Sequence, residues 1–163
     1  MNLTIKTDDG RFNLRVGAII YNSDKTKVFM QKHEKIEPYM FPGGRIDMYE
    51  DSYISMKREL EEELGIKDEE MYLKYIAENF VYVRGKKLHE VSFYYVLQLN
   101  EEKYGYYSDN IYHAKDEEHD GKSIFKWIDL SDLDTIDILP NNMKDKIKDI
   151  KTKTLEHIIY KEY

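Results

Sequence analysis

Three glutamates on one flank of a short segment are the residues best placed to do chemistry. In the stretch from Asp51 to Gly65, stepping about 100° per residue puts Tyr53, Met56, Leu60 and Leu64 within about 40° of one line. That line is the stripe expected to face a core. Glu59, Glu62 and Glu63 fall beside it within an arc of about 100°, and Glu61 points to the opposite flank. Carboxylates held this close repel one another, so a cation among them is expected. Oxygen-only donors suit hard divalent ions such as Mg²⁺ or Mn²⁺, and Mg²⁺ often shares its shell with substrate phosphates. A solvated acidic face is the plainer alternative.

The neighbouring sequence has to position that helix. Asp51 or Ser52 is suited to cap its start and Gly65 to stop it. Before it, LRVGAIIYN (14–22) and KVFMQKH (27–33) read as two strands of a hairpin around SDKT, and Pro42, Gly43 and Gly44 mark a loop. After it, YLKYIAENFVYV (72–83) and HEVSFYYVLQL (89–99) read as long strands around the turn RGKK. Residues 100–122 are polar and read as a loop, and SIFKWIDL (123–130) as a late strand. Met143, Ile147 and Ile150 recur at helical spacing after Pro140, so the chain is expected to end in a helix. Strands mixed with two helices imply an α/β fold with a mixed sheet, and 163 residues suffice for one domain, 1–163.

Composition narrows the function. The net charge is −7 and no basic stripe is visible, which argues against duplex nucleic acid as a partner. There is no cysteine, so thiolate nucleophiles and cysteine metal sites are excluded. No segment approaches the roughly 18 apolar residues of a membrane helix, and the N-terminus lacks the apolar stretch of a signal peptide. A cytoplasmic, soluble protein without a membrane partner is expected.

Gly44 is followed after five residues by Glu50, and after seven more by Arg58-Glu59-Leu60-Glu61-Glu62-Glu63-Leu64-Gly65-Ile66. This resembles the signature of the Nudix hydrolase family at every fixed position. One departure is Tyr49, where relatives usually carry glycine. The resemblance implies an α/β/α sandwich with a mixed sheet, and hydrolysis of a nucleoside diphosphate linked to another group. A nucleoside triphosphate or modified nucleotide is the first substrate reading. A dinucleoside polyphosphate, an RNA 5′ end, or a nucleotide sensor that does not cleave are the alternatives. Tyr82 fits the dinucleoside branch only weakly in so Tyr-rich a chain.

By the same resemblance the cofactor is Mg²⁺, replaceable by Mn²⁺. The backbone carbonyl of Gly43 and the side chains of Glu59, Glu62 and Glu63 are metal ligands, with Glu59 a candidate general base. Arg58 is expected to pair with Glu50 and hold the loop to the helix. A late-loop glutamate, Glu117 or Glu118, is a further ligand or base, and Glu118 is the choice made here. Glu90 is another candidate acid, with a strand-edge charge as its alternative. Arg15, Lys32 and Arg45 are placed to reach phosphates. Tyr39 or Phe41 is available to stack on a base, and Asn141 or Asn142 to read a base edge, although Pro-Asn-Asn is also an ordinary helix cap. Relatives are often dimers, so a homodimer is an open possibility.

Overall fold

The computed structural model describes residues 1–35, 37–115 and 122–163. In chain order come strands β1 (Thr4–Lys6), β2 (Gly10–Tyr21), β3 (Lys27–His33), β4 (Tyr39–Met40) and β5 (Gly43–Arg45), then helix α1 (Ser52–Leu64). Strands β6 (Tyr72–Val83) and β7 (Lys86–Gln98), helix α2 (Glu101–Tyr104) and strands β8 (Ile111–Lys115) and β9 (Lys122–Asp129) follow. A 3₁₀ segment (Leu130–Thr135), β10 (Ile138–Leu139), α3 (Met143–Lys148) and β11 (Glu156–Lys161) complete the order. The residues group into two compact units. One comprises Met1–Ala18, Gly43–Val96 and Thr152–Tyr163, the other Ile19–Pro42 and Leu97–Lys151.

In the first unit β6 is the axis of a mixed sheet. It pairs antiparallel with β7 from Tyr72↔Val96 to Val83↔Lys86, and parallel with β11 from Glu156↔Tyr75 to Lys161↔Phe80. β1 and β5 both lie antiparallel on β2. The turn between β6 and β7 is tighter than RGKK suggests: Arg84 and Gly85 alone make it, both at positive φ. Two left-handed residues match the twist of a two-residue hairpin turn, which frees Lys86 and Lys87 to join the strand. Met56, Leu60 and Leu64 are buried as expected. Tyr53 is not, at 43% exposed, and Ser55 is fully buried in its place. The hydrophobic stripe therefore stops one turn short of the helix start.

The second unit is built on β3. β9 runs antiparallel along its whole length, from Lys27↔Asp129 to His33↔Ser123, and β8 pairs with the outer side of β9. β10 lies parallel to β4, which pairs antiparallel with β3. Phe29 is fully buried among the rings of Tyr106, Phe125 and Trp127. Trp127 Nε1 donates to the Tyr106 carbonyl at 2.9 Å, which satisfies the indole in that cluster.

Two expectations fail here. Residues 100–122 are not all loop: Asn100 caps the one-turn α2, Gly105 ends it at φ 70°, and β8 follows. The chain also does not end in a helix. α3 stops after six residues, and β11 takes over. The helical spacing of Met143 and Ile147 is real, and both are buried. Beyond it the pattern changes to period two, with Ile158 buried and Ile159 exposed. Lys74 helps hold the last strand, donating from Nζ to the Thr154 carbonyl at 2.7 Å and pairing with Glu156 at 3.0 Å.

Candidate active site

The loop after β4 brings the chain back along β2 as β5, with Gly43 opposite Gly17 and Gly44 opposite Val16. Both glycines are required by space. A Cβ on Gly43 would lie 2.2 Å from the Val16 carbonyl oxygen, and φ there is 145°. A Cβ on Gly44 would lie 2.3 Å from Glu59 Oε1, so the Glu59 carboxylate rests on that glycine's bare backbone. α1 delivers Glu59 to this point. Asp51 caps the helix by accepting from the Ile54 N–H at 2.9 Å. Gly65 closes it in the left-handed conformation, its N–H donating to the Glu61 carbonyl and the next N–H, of Ile66, to the Leu60 carbonyl.

Arg58 ties loop and helix together. Its Nε and Nη2 each donate at 3.0 Å to Glu50, one to each carboxylate oxygen. Nη2 also donates to the Arg45 carbonyl at 3.3 Å. Nη1 donates to Glu59 Oε1 at 2.8 Å and to Glu62 Oε2 at 3.3 Å. A planar guanidinium is the cation that can make such a two-point contact to a carboxylate while serving others. The Arg58 hydrogen bond, opposed by partial burial, holds the Glu50 carboxyl below its ordinary value. Burial pushes Glu59 up, although Arg58 pulls against it. Burial also separates the two carboxylates bound by Nη1: the Glu59 side chain is 12% exposed and that of Glu62 is 61%.

Glu63 is half-buried, and its charge is felt by Arg15 on β2. Burial pulls the Arg15 guanidinium down, but Glu90, Tyr94, Glu63 and Glu59 outweigh it and raise it. Glu61 leaves on the other flank and pairs with Lys67 at 2.8 Å, both exposed. Arg15 stands directly opposite Arg45 in the β2–β5 register, so the two point to one face. Tyr49, the departure from the family pattern, sits at φ 68° and is fully exposed. That is the backbone conformation glycine adopts without cost, which explains the usual residue there.

Several candidates stand elsewhere. Lys32 pairs with Glu37 and lies over the Tyr39 ring at 5.3 Å, both in the second unit. Phe41 is buried, so it packs and does not offer a face for stacking. Asn142 precedes α3 in the second unit without capping it: its side chain makes no cap hydrogen bond, and its Oδ1 is buried without a partner. The reading of Pro-Asn-Asn as a side-chain cap therefore fails. Glu90 is not at a sheet edge, because β7 lies between β6 and β2. Its carboxylate accepts from Ser92 Oγ at 3.0 Å and from Asn13 Nδ2 at 3.5 Å. Glu117 and Glu118 lie outside the described residues. Asn13 and Ser92 were missed by sequence reasoning. Their signal was a polar residue at every second position, Asn13 with Arg15 and Glu90 with Ser92, which alternation in a strand puts on one face.

Among the described residues no three acidic or histidine side chains stand close enough together to hold a metal ion. What is gathered is a pair, Glu59 and Glu62, around one guanidinium nitrogen. The donor chemistry fits a hard cation, since every group is a carboxylate oxygen and a positive charge already occupies the point between two of them.

A family model for the NUDIX domain matches residues 11–150. Among solved structures, the MutT protein of Bacillus halodurans is similar over 92% of this chain and 91% of its own, at 16% identity and a TM-score of 0.63. The dihydroneopterin triphosphate pyrophosphohydrolase of E. coli is similar over 83% and 92%, at 15% identity and a TM-score of 0.57. The NUDIX domain of Shewanella oneidensis NrtR, complexed with ADP ribose, is similar over 88% and 87%, at 18% identity and a TM-score of 0.58. At these identities the likeness is one of fold. No curated protein matches the sequence.

Proposed function

The chain belongs to the NUDIX family, and we propose that it is a Mg²⁺-dependent pyrophosphohydrolase acting on a nucleoside triphosphate or a modified one. The observation that carries this reading is the seating of Glu59. Its carboxylate is buried against Gly44 and fixed by Arg58, which is itself locked by two bonds to Glu50. A solvated acidic face needs no such construction. Desolvating a carboxylate has a cost, and here it is offset by a charge-assisted hydrogen bond that also sets its direction.

Each residue then has a task. Glu59, Glu62, Glu63 and the Gly43 carbonyl are the proposed metal ligands, and Glu118, outside the described residues, is proposed as a further one. Mg²⁺ or Mn²⁺ bound there supplies a Lewis acid for the phosphate oxygens and lowers the pKa of a bound water. Glu62, open to solvent, takes an incoming ligand without rearrangement. Glu59 or Glu118 accepts the proton of the attacking water. Arg15 and Arg45, two like charges side by side on one face, meet the phosphate chain, which relieves their mutual repulsion. The partner is thus a small nucleotide. Among the described residues no helix is long and apolar enough to cross a membrane.

The test is release of phosphate or pyrophosphate by the purified chain across a nucleotide panel. Turnover is expected with Mg²⁺, is lost with chelator, and returns on adding Mg²⁺ or Mn²⁺. Tight nucleotide binding with no turnover under any metal would replace the enzyme reading with that of a sensor.

A further inference from the structure

β2 changes partner along its length. β1 covers it from Thr4↔Asn13 to Lys6↔Arg11, and β5 from Arg15↔Arg45 to Gly17↔Gly43. The handover falls on Leu14, where three segments close a triangle of main-chain hydrogen bonds. The Leu14 N–H donates to the Leu3 carbonyl at 3.1 Å, the Leu3 N–H to the Ile46 carbonyl at 2.8 Å, and the Ile46 N–H to the Leu14 carbonyl at 3.0 Å. Beyond the triangle, residues 1–3 run antiparallel to residues 46–48. Asn2 stands opposite Asp47, and the Met48 N–H donates to the Met1 carbonyl at 3.0 Å. Residues 1–3 lie outside the stretch 11–150 that the family model matches.

That register decides where Asp47 points. The Leu3 and Met48 bonds flank the Asn2–Asp47 pair, which is therefore the non-hydrogen-bonded kind, with the Asp47 N–H and carbonyl turned away from Asn2. Both serve Glu50. The Asp47 N–H donates to Glu50 Oε2 at 3.3 Å, and the Asp47 carbonyl accepts from the Glu50 N–H at 3.2 Å. Glu50 Oε2 is also the oxygen that Arg58 Nη2 bonds, and the same Nη2 bonds the Arg45 carbonyl, just ahead of Ile46. The main chain of Ile46 and Asp47 thus spans the two points that hold Nη2 of Arg58. A slip of one residue would turn the Asp47 N–H toward residues 1–3 and take it from Glu50.

We propose that Leu3 is a positioning residue of the site: its main chain holds Ile46 and Asp47 in the register that aims Glu50 at Arg58, and Arg58 in turn fixes Glu59. The proposal rests on the hydrolase reading above and deepens it.

The experiment compares wild-type chain with Leu3→Pro, which deletes the N–H bonded to the Ile46 carbonyl. Ile5→Pro is the control, because Ile5 lies in the same strand but pairs with Phe12 and not with the loop. Both prolines should lower the denaturation midpoint. Only Leu3→Pro should speed hydrogen exchange at the Asp47 amide. It should also weaken Mn²⁺ binding about tenfold, followed by the paramagnetic resonance of the free ion, and lower kcat about tenfold with KM within about twofold. Ile5→Pro should leave Mn²⁺ affinity and kcat within about twofold of wild type. Exchange in Leu3→Pro as slow as in wild type overturns the proposal, and so does faster exchange with unchanged Mn²⁺ affinity. Equal losses of Mn²⁺ affinity from both prolines also overturn it, since β1 would then be a general support. If Leu3→Pro does not fold, Met48→Pro removes the other bond of the pair and is judged by the same results. If wild type binds Mn²⁺ but hydrolyses no nucleotide, the enzyme reading fails and Mn²⁺ affinity decides the positioning. A wild type that does neither overturns both.

Discussion

Glu59 and Glu62 hydrogen-bond the same nitrogen of Arg58 yet live in different dielectrics, one buried and one open. Glu61 lies between Glu59 and Glu62 in sequence but bonds Lys67 at the surface. That separation makes a sharp comparison. Glu62→Gln removes a carboxylate from the proposed ligand set and should lower turnover by at least about 10²-fold. Glu61→Gln disturbs only an exposed ion pair, worth at most about 1 kcal/mol, and should leave turnover unchanged. Equal losses in a phosphate-release assay would mean that the helix presents a different face to its substrate.

At the scale of elements, α1 is a delivery device, and its ends decide whether it delivers. Its start depends on Asp51, since the hydrophobic stripe begins only at Met56 and the first turn has no buried anchor apart from Ser55. Asp51→Ala should therefore cost about 1 kcal/mol in urea unfolding, with fraying visible as faster hydrogen exchange in residues 52–55. No loss in unfolding free energy would show that the Ser52–Tyr95 hydroxyl contact, at 2.8 Å, anchors the first turn without the cap.

For the whole molecule, the decisive addition is the last strand. β11 covers the edge of β6 with six parallel partners, and its Glu156 together with Thr154 just before it binds the ammonium of the nearly buried Lys74. Deleting residues 152–163 would leave that ammonium without them and expose the β6 edge. Stability is expected to fall by about 3 kcal/mol or more, with aggregation through the open edge. A truncated chain with an unchanged denaturation midpoint and no loss of solubility would show that β11 is ornamental.

The helix, its caps and the glutamate spacing were legible in the sequence, because they are local: a period of 3.6, a capping aspartate and a terminal glycine act within a few residues of one another. The Arg58–Glu50 pairing was legible too, since a recurring pattern of fixed spacing encodes one loop and one helix. Tertiary structure decided the rest. Tyr53 is apolar enough to belong to the stripe, but it meets the Tyr95 ring edge-on at 6.0 Å and stays largely exposed. A segment with helical spacing at Met143 and Ile147 became a strand ten residues later because β6 had an edge to satisfy, and a backbone edge leaves no mark on the chain that must fill it. Asn79 looks like any polar residue in a strand until the register sets it opposite Glu90, buried and unpaired.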